Sequence, residues 1–151
     1  MNLASAQPFF WTVRVYYEDT DAAGVVYYAN YLKYLERART EWLAAAGVAL
    51  SALEDEHGTV FVVHRLAIDY HRPARLGDAL KVSVVPRERS RVRLVVSQDI
   101  LRGDELISSA RVTLACLDQR TWRPVAIPEC VPGQIRRLAR AGSAVSMENP
   151  R

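Results

Sequence analysis

Asp19 and Asp21 lie one residue apart in the run Tyr16-Tyr17-Glu18-Asp19-Thr20-Asp21-Ala22-Ala23-Gly24-Val25-Val26-Tyr27-Tyr28-Ala29-Asn30-Tyr31, which carries a strand's end, a carboxylate-rich turn and a helix's start. A carboxylate just upstream of a helix N-terminus puts a base or nucleophile beside unpaired backbone N–H donors. Acyl transfer needs those two parts: a group that attacks or activates water, and a group that holds the developing oxyanion. The donors are the N–H groups near Tyr28, Ala29 and Asn30, where the helix opens. Val25-Val26-Tyr27-Tyr28 is an apolar and aromatic wall just after the turn, and a carboxylate against it would be partly desolvated and more reactive than in water. Asp and Gly also build turns with no chemistry attached, and that simpler role competes for the same residues.

A thioester suits this equipment. Its leaving thiolate has a solution pKa of about 8.5, taking the cysteine thiol as guide, so departure needs less help from a general acid than expulsion of an amine or alkoxide. One carboxylate then suffices. Rival chemistries fit less well. Asp19-Thr20-Asp21 matches the first three positions of a calcium loop, but Ala23 stands at the fifth and Asn30 rather than Glu at the twelfth. No G-x-S-x-G elbow occurs, and the three histidines announce no triad. His64 alternates into the apolar face of a strand, His57 precedes a glycine turn and His71 precedes a loop with Pro73, so each is assigned to structure.

The elements that position the run follow from periodicity. Trp11 to Glu18 alternates, with Trp11, Val13, Val15 and Tyr17 on one face, and reads as a first strand. Asn30 to Ala46 carries Leu32, Leu35, Ala38, Trp42 and Ala45 at steps of three and four, a helix of about four turns closed by Gly47. A shorter helical piece around Ser51 to Glu56 leads through Gly58 into four runs of period two. Val62, Leu66, Ile68 and Tyr70 share one face, then Leu80, Val82 and Val84, then Val92, Leu94 and Val96, then Ala110, Val112, Leu114 and Cys116. Short connections, including the tight turn Arg102-Gly103-Asp104-Glu105, favour antiparallel pairing. The expectation is an α+β domain: one antiparallel sheet of about five strands on one long helix, with a short terminal helix over Cys130 to Ala141 and a frayed tail over 142–151.

A chain of 151 residues suits one domain with a real core. Absence of a signal pattern in Met1 to Phe10, and of any apolar run long enough for a bilayer, makes the cytoplasm the default location. Cys116 and Cys130 fit neither a disulfide framework nor a zinc pattern, and Cys116 reads as core. The net charge is only +3, but 18 of the 20 basic residues are Arg. Arg87, Arg89, Arg91 and Arg93 against Glu88 make a local patch of +3 (four minus one), suited to phosphates. Nucleic acid would call for a wider basic surface with stacking aromatics, so a small phosphorylated ligand is favoured.

Val13 to Asp21, Gly24 to Tyr31 and Glu36-Arg37-Ala38-Arg39-Thr40-Glu41 closely resemble the hotdog-fold acyl-CoA thioesterases of the 4-hydroxybenzoyl-CoA thioesterase type, and most closely the Tol-Pal-associated branch. The likeness continues through Phe61-Val62-Val63, Tyr70, Pro73-Ala74-Arg75-Leu76 and Asp78, covering roughly 10–135. It implies an acyl-CoA thioester hydrolase with Asp21 as catalytic carboxylate and the Tyr28 backbone N–H as oxyanion donor. Asp19 becomes a supporting turn residue. Gly24, Val25 and Tyr27 are implied at the substrate, with Arg87, Arg89 and Arg91 on the coenzyme A phosphates and Arg75 as a further candidate. Many members of the Tol-Pal-associated branch have His where this chain has Tyr28, which leaves the backbone donor intact and bears on substrate preference.

The resemblance further implies a helix in the curl of the sheet and a homodimer or homotetramer with active sites at the dimer seam. No metal or other cofactor is implied, coenzyme A being part of the substrate. In a rival reading the chain is a hotdog scaffold or binding protein that meets an acyl carrier protein or envelope machinery, with thioesterase activity incidental. A helix glutamate, Glu36 or Glu41, is the alternative catalytic carboxylate, since another hotdog branch uses one; Glu36 is instead expected to pair with Arg37 or Arg39 on the exposed helix face.

Overall fold

The computed structural model describes residues 7–148, with side chains described through Arg140. Strands β1 (Phe9–Arg14), β2 (Thr59–Tyr70), β3 (Ala79–Arg89), β4 (Arg93–Arg102) and β5 (Glu105–Asp118) form one sheet in the order β1-β3-β4-β5-β2. Every neighbouring pair is antiparallel. The long helix α1 (Tyr31–Ala45) packs against the sheet, and Gly47 at φ 82° ends it in the left-handed conformation. A short α2 (Leu50–Ala52) runs into one wide turn, Leu53–His57, before β2. The terminal helix α3 (Cys130–Glu148) extends past Ala141, so 142–148 are helical where a tail was expected; the last three residues lie outside the described residues.

The core lies between α1 and one sheet face. Leu80, Val82 and Val84 of β3, Leu94, Val96 and Ile100 of β4, and Val112 and Cys116 of β5 are buried there. Of the expected helix face Leu35, Ala38 and Trp42 are buried, joined by Tyr31, Tyr34 and Leu43, whereas Leu32 and Ala45 are exposed. Two tyrosines take inward positions because the helix start needs hydrogen-bonding side chains as well as apolar surface. The Tyr31 hydroxyl accepts the buried Ala74 N–H at 3.0 Å, a donor that would otherwise go unpaired.

Two strand readings need correction. β1 ends at Arg14, because Val15 turns its N–H to the Asp78 carbonyl and the chain winds into a 3-10 turn over Tyr17–Asp19. In β2 a bulge falls between Val63 and Arg65. Phe61 and Val63 stand opposite Cys116 and Leu114, while Leu66, Ile68 and Tyr70 stand opposite Val112, Ala110 and Ser108, so these five share the core face. Val62, opposite Ala115, is on the other face, and His64 is exposed at the bulge rather than inside the strand's apolar face. β2 is also an edge strand, placed beyond β5 and far from its sequence neighbour β3.

Candidate active site

The acidic run folds into a narrow loop whose two sides bond to each other. Thr20 and Val26 form an antiparallel bridge, Asp21 donates its N–H to the Val25 carbonyl at 2.9 Å, and Tyr27 donates to the Asp19 carbonyl at 3.0 Å. At the tip, Gly24 returns its N–H to the Asp21 carbonyl at 3.0 Å with φ 79°, a conformation that glycine adopts without strain. The Asp21 side chain accepts the Ala23 N–H through Oδ1 at 2.8 Å, leaving Oδ2 without a partner among the described residues. Asp21 is exposed, and so are Tyr27 and Tyr28. The aromatic wall therefore does not desolvate the carboxylate within one chain, contrary to the expectation from sequence.

The loop rests on a second one, Pro73 to Asp78. Val26 donates to the Ala74 carbonyl at 2.9 Å, Val25 forms a bridge with Arg75, and Gly77 donates to the Val15 carbonyl at 3.0 Å. That support is itself braced: Arg102 places one guanidinium nitrogen 2.6 Å from Asp78 Oδ2 and another 2.6 Å from Glu105 Oε1, and Asp78 also accepts the Arg75 N–H at 2.9 Å. Burial would raise the Asp78 pKa, but the Arg75 N–H and the Arg102 guanidinium outweigh it and hold the carboxyl below its ordinary range.

The two aspartates have separate environments. Asp19 is buried; its Oδ2 accepts the Tyr16 N–H at 2.8 Å and its Oδ1 accepts the Asn30 side-chain amide at 2.9 Å. Burial raises its pKa, but the Tyr16 N–H, the dipole of the neighbouring Tyr34 hydroxyl, the Asn30 amide and the Arg37 charge prevail and hold it below the usual range. The buried Tyr34 hydroxyl meets no partner in good hydrogen-bond geometry among the described residues, and burial beside the Asp19 charge holds it protonated well above a normal phenol. Asp19 is thus a fixed internal anchor, and Asp21 is the carboxylate presented to solvent.

At the helix start, a single 3-10 turn, Tyr28–Asn30, precedes α1. The Tyr27 carbonyl accepts the Asn30 N–H at 2.8 Å. The N–H of Tyr28 lies on the opposite side of that same planar peptide and so is directed back toward the loop. Among the described residues nothing accepts it. An amide held in this way is suited to a carbonyl oxygen gaining negative charge.

The structure gathers Asp21, Gly24, Val25, Tyr27, Tyr28 and Arg75 around this loop. It does not bring Arg87, Arg89 and Arg91 there in the same chain. β3 leaves Asp78 at Ala79 and reaches Arg89 at its far end, which puts Arg87 and Arg89 roughly 25–35 Å from Ala79 along the strand, with Arg91 in the turn beyond. Arg87 lies on the outer sheet face with Nε donating to Ser97 Oγ at 3.0 Å. Glu36 accepts the Thr40 hydroxyl at 3.2 Å, while Arg39 turns inward to Gln98, so the expected Glu36–arginine ion pair is not formed among the described residues. Sequence reasoning overlooked Tyr70, whose hydroxyl donates to the Tyr28 carbonyl at 2.9 Å; its position at the end of an alternating strand gave no sign of a polar task.

Comparison with known proteins identifies the family. The sequence profile of the thioesterase-like superfamily matches residues 15–135. The acyl-CoA thioesterase YbgC of Haemophilus influenzae is 42% identical over 130 residues, covering 86% of this chain and 96% of that protein. The 1,4-dihydroxy-2-naphthoyl-CoA hydrolase of Synechococcus elongatus is 33% identical over 113 residues, covering 74% and 82%. A crystal structure of a probable thioesterase from Bartonella henselae superposes with a TM-score of 0.78 at 31% identity, covering 81% of this chain and 100% of that one. With its five-stranded antiparallel sheet and long helix, the chain belongs to the thioesterase-like superfamily, as a hotdog-fold thioester hydrolase.

Proposed function

We propose that the protein hydrolyses a short-chain or aromatic acyl-CoA to the free acid and coenzyme A, in the cytoplasm and without a metal or other cofactor. The observation that carries this reading is the pairing of an exposed Asp21 carboxylate with an unaccepted Tyr28 N–H on one braced loop. The thioester carbonyl oxygen lies on the Tyr28 N–H. Asp21 then either attacks the carbonyl carbon, forming a mixed anhydride that water opens, or removes a proton from the attacking water; in both routes the thiolate of coenzyme A leaves. Gly24, Val25 and Tyr27 border the reacting group, and Arg75, bridged to Val25, offers a cation for the coenzyme A portion.

A homodimer or homotetramer completes the site. The support for it is the twelve-residue edge strand β2, which carries Val63 at 51% and Tyr70 at 44% exposure in the single chain. Pairing of two such edges would cover the Asp21 loop and bring the distant end of a second sheet, with its Arg87, Arg89 and Arg91, toward the phosphates.

A panel of acyl-CoAs with a thiol reagent tests this, run on the wild type and on Asp21→Asn. Hydrolysis confined to short or aromatic acyl groups and lost in the variant is the expected result. Failure across the whole panel, together with capture of an acyl carrier protein, would establish the binding scaffold instead.

A further inference from the structure

Two successive peptide units open the 3-10 turn that precedes α1, and each is held at its carbonyl. The first, Tyr27–Tyr28, is held by the Asn30 N–H at 2.8 Å. The second, Tyr28–Ala29, is reached by a side chain from 42 residues away: Tyr70, the last residue of β2, donates its hydroxyl to the Tyr28 carbonyl at 2.9 Å. We infer that Tyr70 is a positioning residue of the thioester site, fixing and polarising the Tyr28–Ala29 peptide so that the Ala29 N–H stands beside the Tyr28 N–H as a second oxyanion donor. This rests on the reading of the Asp21 loop given above.

The argument is one of peptide geometry. In a trans peptide the N–H and C=O point in opposite directions, so a donor that fixes the carbonyl also fixes the N–H. A hydrogen bond to the carbonyl draws electron density toward oxygen and makes the amide proton a better donor, the cooperative strengthening seen along hydrogen-bond chains. Among the described residues nothing accepts the Ala29 N–H, so the polarised proton remains available.

Ring packing holds the hydroxyl in place. The Tyr70 ring meets Tyr28 edge-on with centroids 6.4 Å apart and Tyr31 at 5.4 Å, and the Tyr31 hydroxyl is itself tied to the Ala74 N–H. The strand end cannot slide, because Tyr70 stands opposite Ser108 in the ladder and the following His71 and Arg72 both donate their N–H groups to the Ile107 carbonyl. Packing alone would be served by phenylalanine. The one hydrogen-bond partner of the Tyr70 hydroxyl among the described residues is the Tyr28 carbonyl, in a bond that lies at the surface and not in the core.

The test is Tyr70→Phe, which keeps the ring. Oxyanion donors act in the transition state more than in the ground state, so kcat should fall about tenfold, less than for outright loss of a donor, with KM within about twofold. Amide NMR on protein labelled with nitrogen-15 alanine gives a readout independent of turnover: the Ala29 amide proton should move upfield in the variant. Unchanged kcat, or a rise in KM alone, would overturn the inference, as would an Ala29 resonance that stays in place. Asp21→Asn run in parallel separates the two levels. If that variant hydrolyses normally, the reading of the site fails whatever Tyr70 does; if it is inactive while Tyr70→Phe behaves as wild type, only the role of Tyr70 fails.

Discussion

The Asn30 side-chain amide donates to Asp19 Oδ1 at 2.9 Å, joining the helix start to the loop that carries Asp21. The other oxygen of the same carboxylate takes the Tyr16 N–H from the strand side, and the Asp19 carbonyl takes the Tyr27 N–H. One buried residue thereby sets strand end, loop and helix start relative to each other. Asp19→Ala should leave a buried amide and a backbone N–H unpaired and cost about 2–4 kcal/mol, at the upper range for hydrogen bonds to a charged group. Urea unfolding of both proteins at neutral pH measures it.

The same anchor predicts an acid limb of stability. The folded-state pKa of Asp19 lies below its ordinary value, so its contribution is fully present above the unfolded value of about 3.9 and is lost as pH falls through the folded one. Asp78, depressed likewise, adds to the loss over the same acidic range. Melting temperatures between about pH 6 and pH 2 should fall steeply for the wild type and less steeply for Asp19→Asn, whose side chain cannot titrate. Parallel curves would dismiss the anchor as a source of acid sensitivity.

Gly24 gives a prediction on the loop itself. A Cβ there would meet nothing within 4 Å, so the only penalty for Gly24→Ala is the left-handed φ of 79°, about 1–2 kcal/mol. The strain falls on the turn that presents Asp21, and the loop relieves it by shifting. kcat should therefore drop several-fold while stability falls by no more than about 1–2 kcal/mol, and Gly24→Asn, which tolerates this region better, should recover part of both losses. Equal activity in all three proteins would show that the turn does not set the Asp21 position.

Much of this site was legible because its parts are local. The aspartates, Gly24, the helix start and the closing Gly47 fall in one stretch of chain, where residue type dictates backbone conformation directly. Cys116 was legible as core for the same reason, by alternation within one strand, and it is fully buried. What was hidden depends on contacts distant in sequence. The bulge at His64 reverses which face Val62 occupies, and period two cannot register an inserted residue. The inward turn of Tyr31 answers to the Ala74 N–H, and Tyr34 lies beside the Asp19 charge, neighbours that the helix's own period does not reveal. Strand order, with β2 carried to the far edge, follows from no pattern inside any one strand.

Arg102 is another feature of this long-range kind. It reaches Asp78 and Glu105 at 2.6 Å each and the Pro73 carbonyl at 3.2 Å, yet among the described residues it makes no hydrogen bond or ion pair to the Asp21 loop. Arg102→Lys keeps the charge but cannot serve Asp78 and Glu105 with a two-pronged fork. The lysine variant should lose about 1–2 kcal/mol of stability, within the range for charged hydrogen bonds at a partly exposed site. Its kcat should fall modestly because the platform under Val25 and Val26 loosens. A loss of stability with kcat unchanged would separate the platform from the chemistry.

The last prediction concerns the core side of α1. Gln98, fully buried on β4, donates Nε2 to the Leu35 carbonyl at 3.0 Å and accepts Arg39 Nη1 on Oε1 at 3.0 Å. Burial pulls the Arg39 pKa down, and the Glu36 charge pushes against that shift. Gln98→Leu would leave the part-buried guanidinium without its amide acceptor and should destabilise by about 1.5–3 kcal/mol, the range for a hydrogen bond to a charged group. Arg39→Met alone should cost less, because a neutral amide left unpaired is cheaper than a charge. The double variant should recover most of the loss, as an apolar pair of similar volume replaces a polar one. Additive single effects in that double-mutant cycle would mean that the two side chains do not share an energetic interaction, and that Gln98 serves the Leu35 carbonyl only.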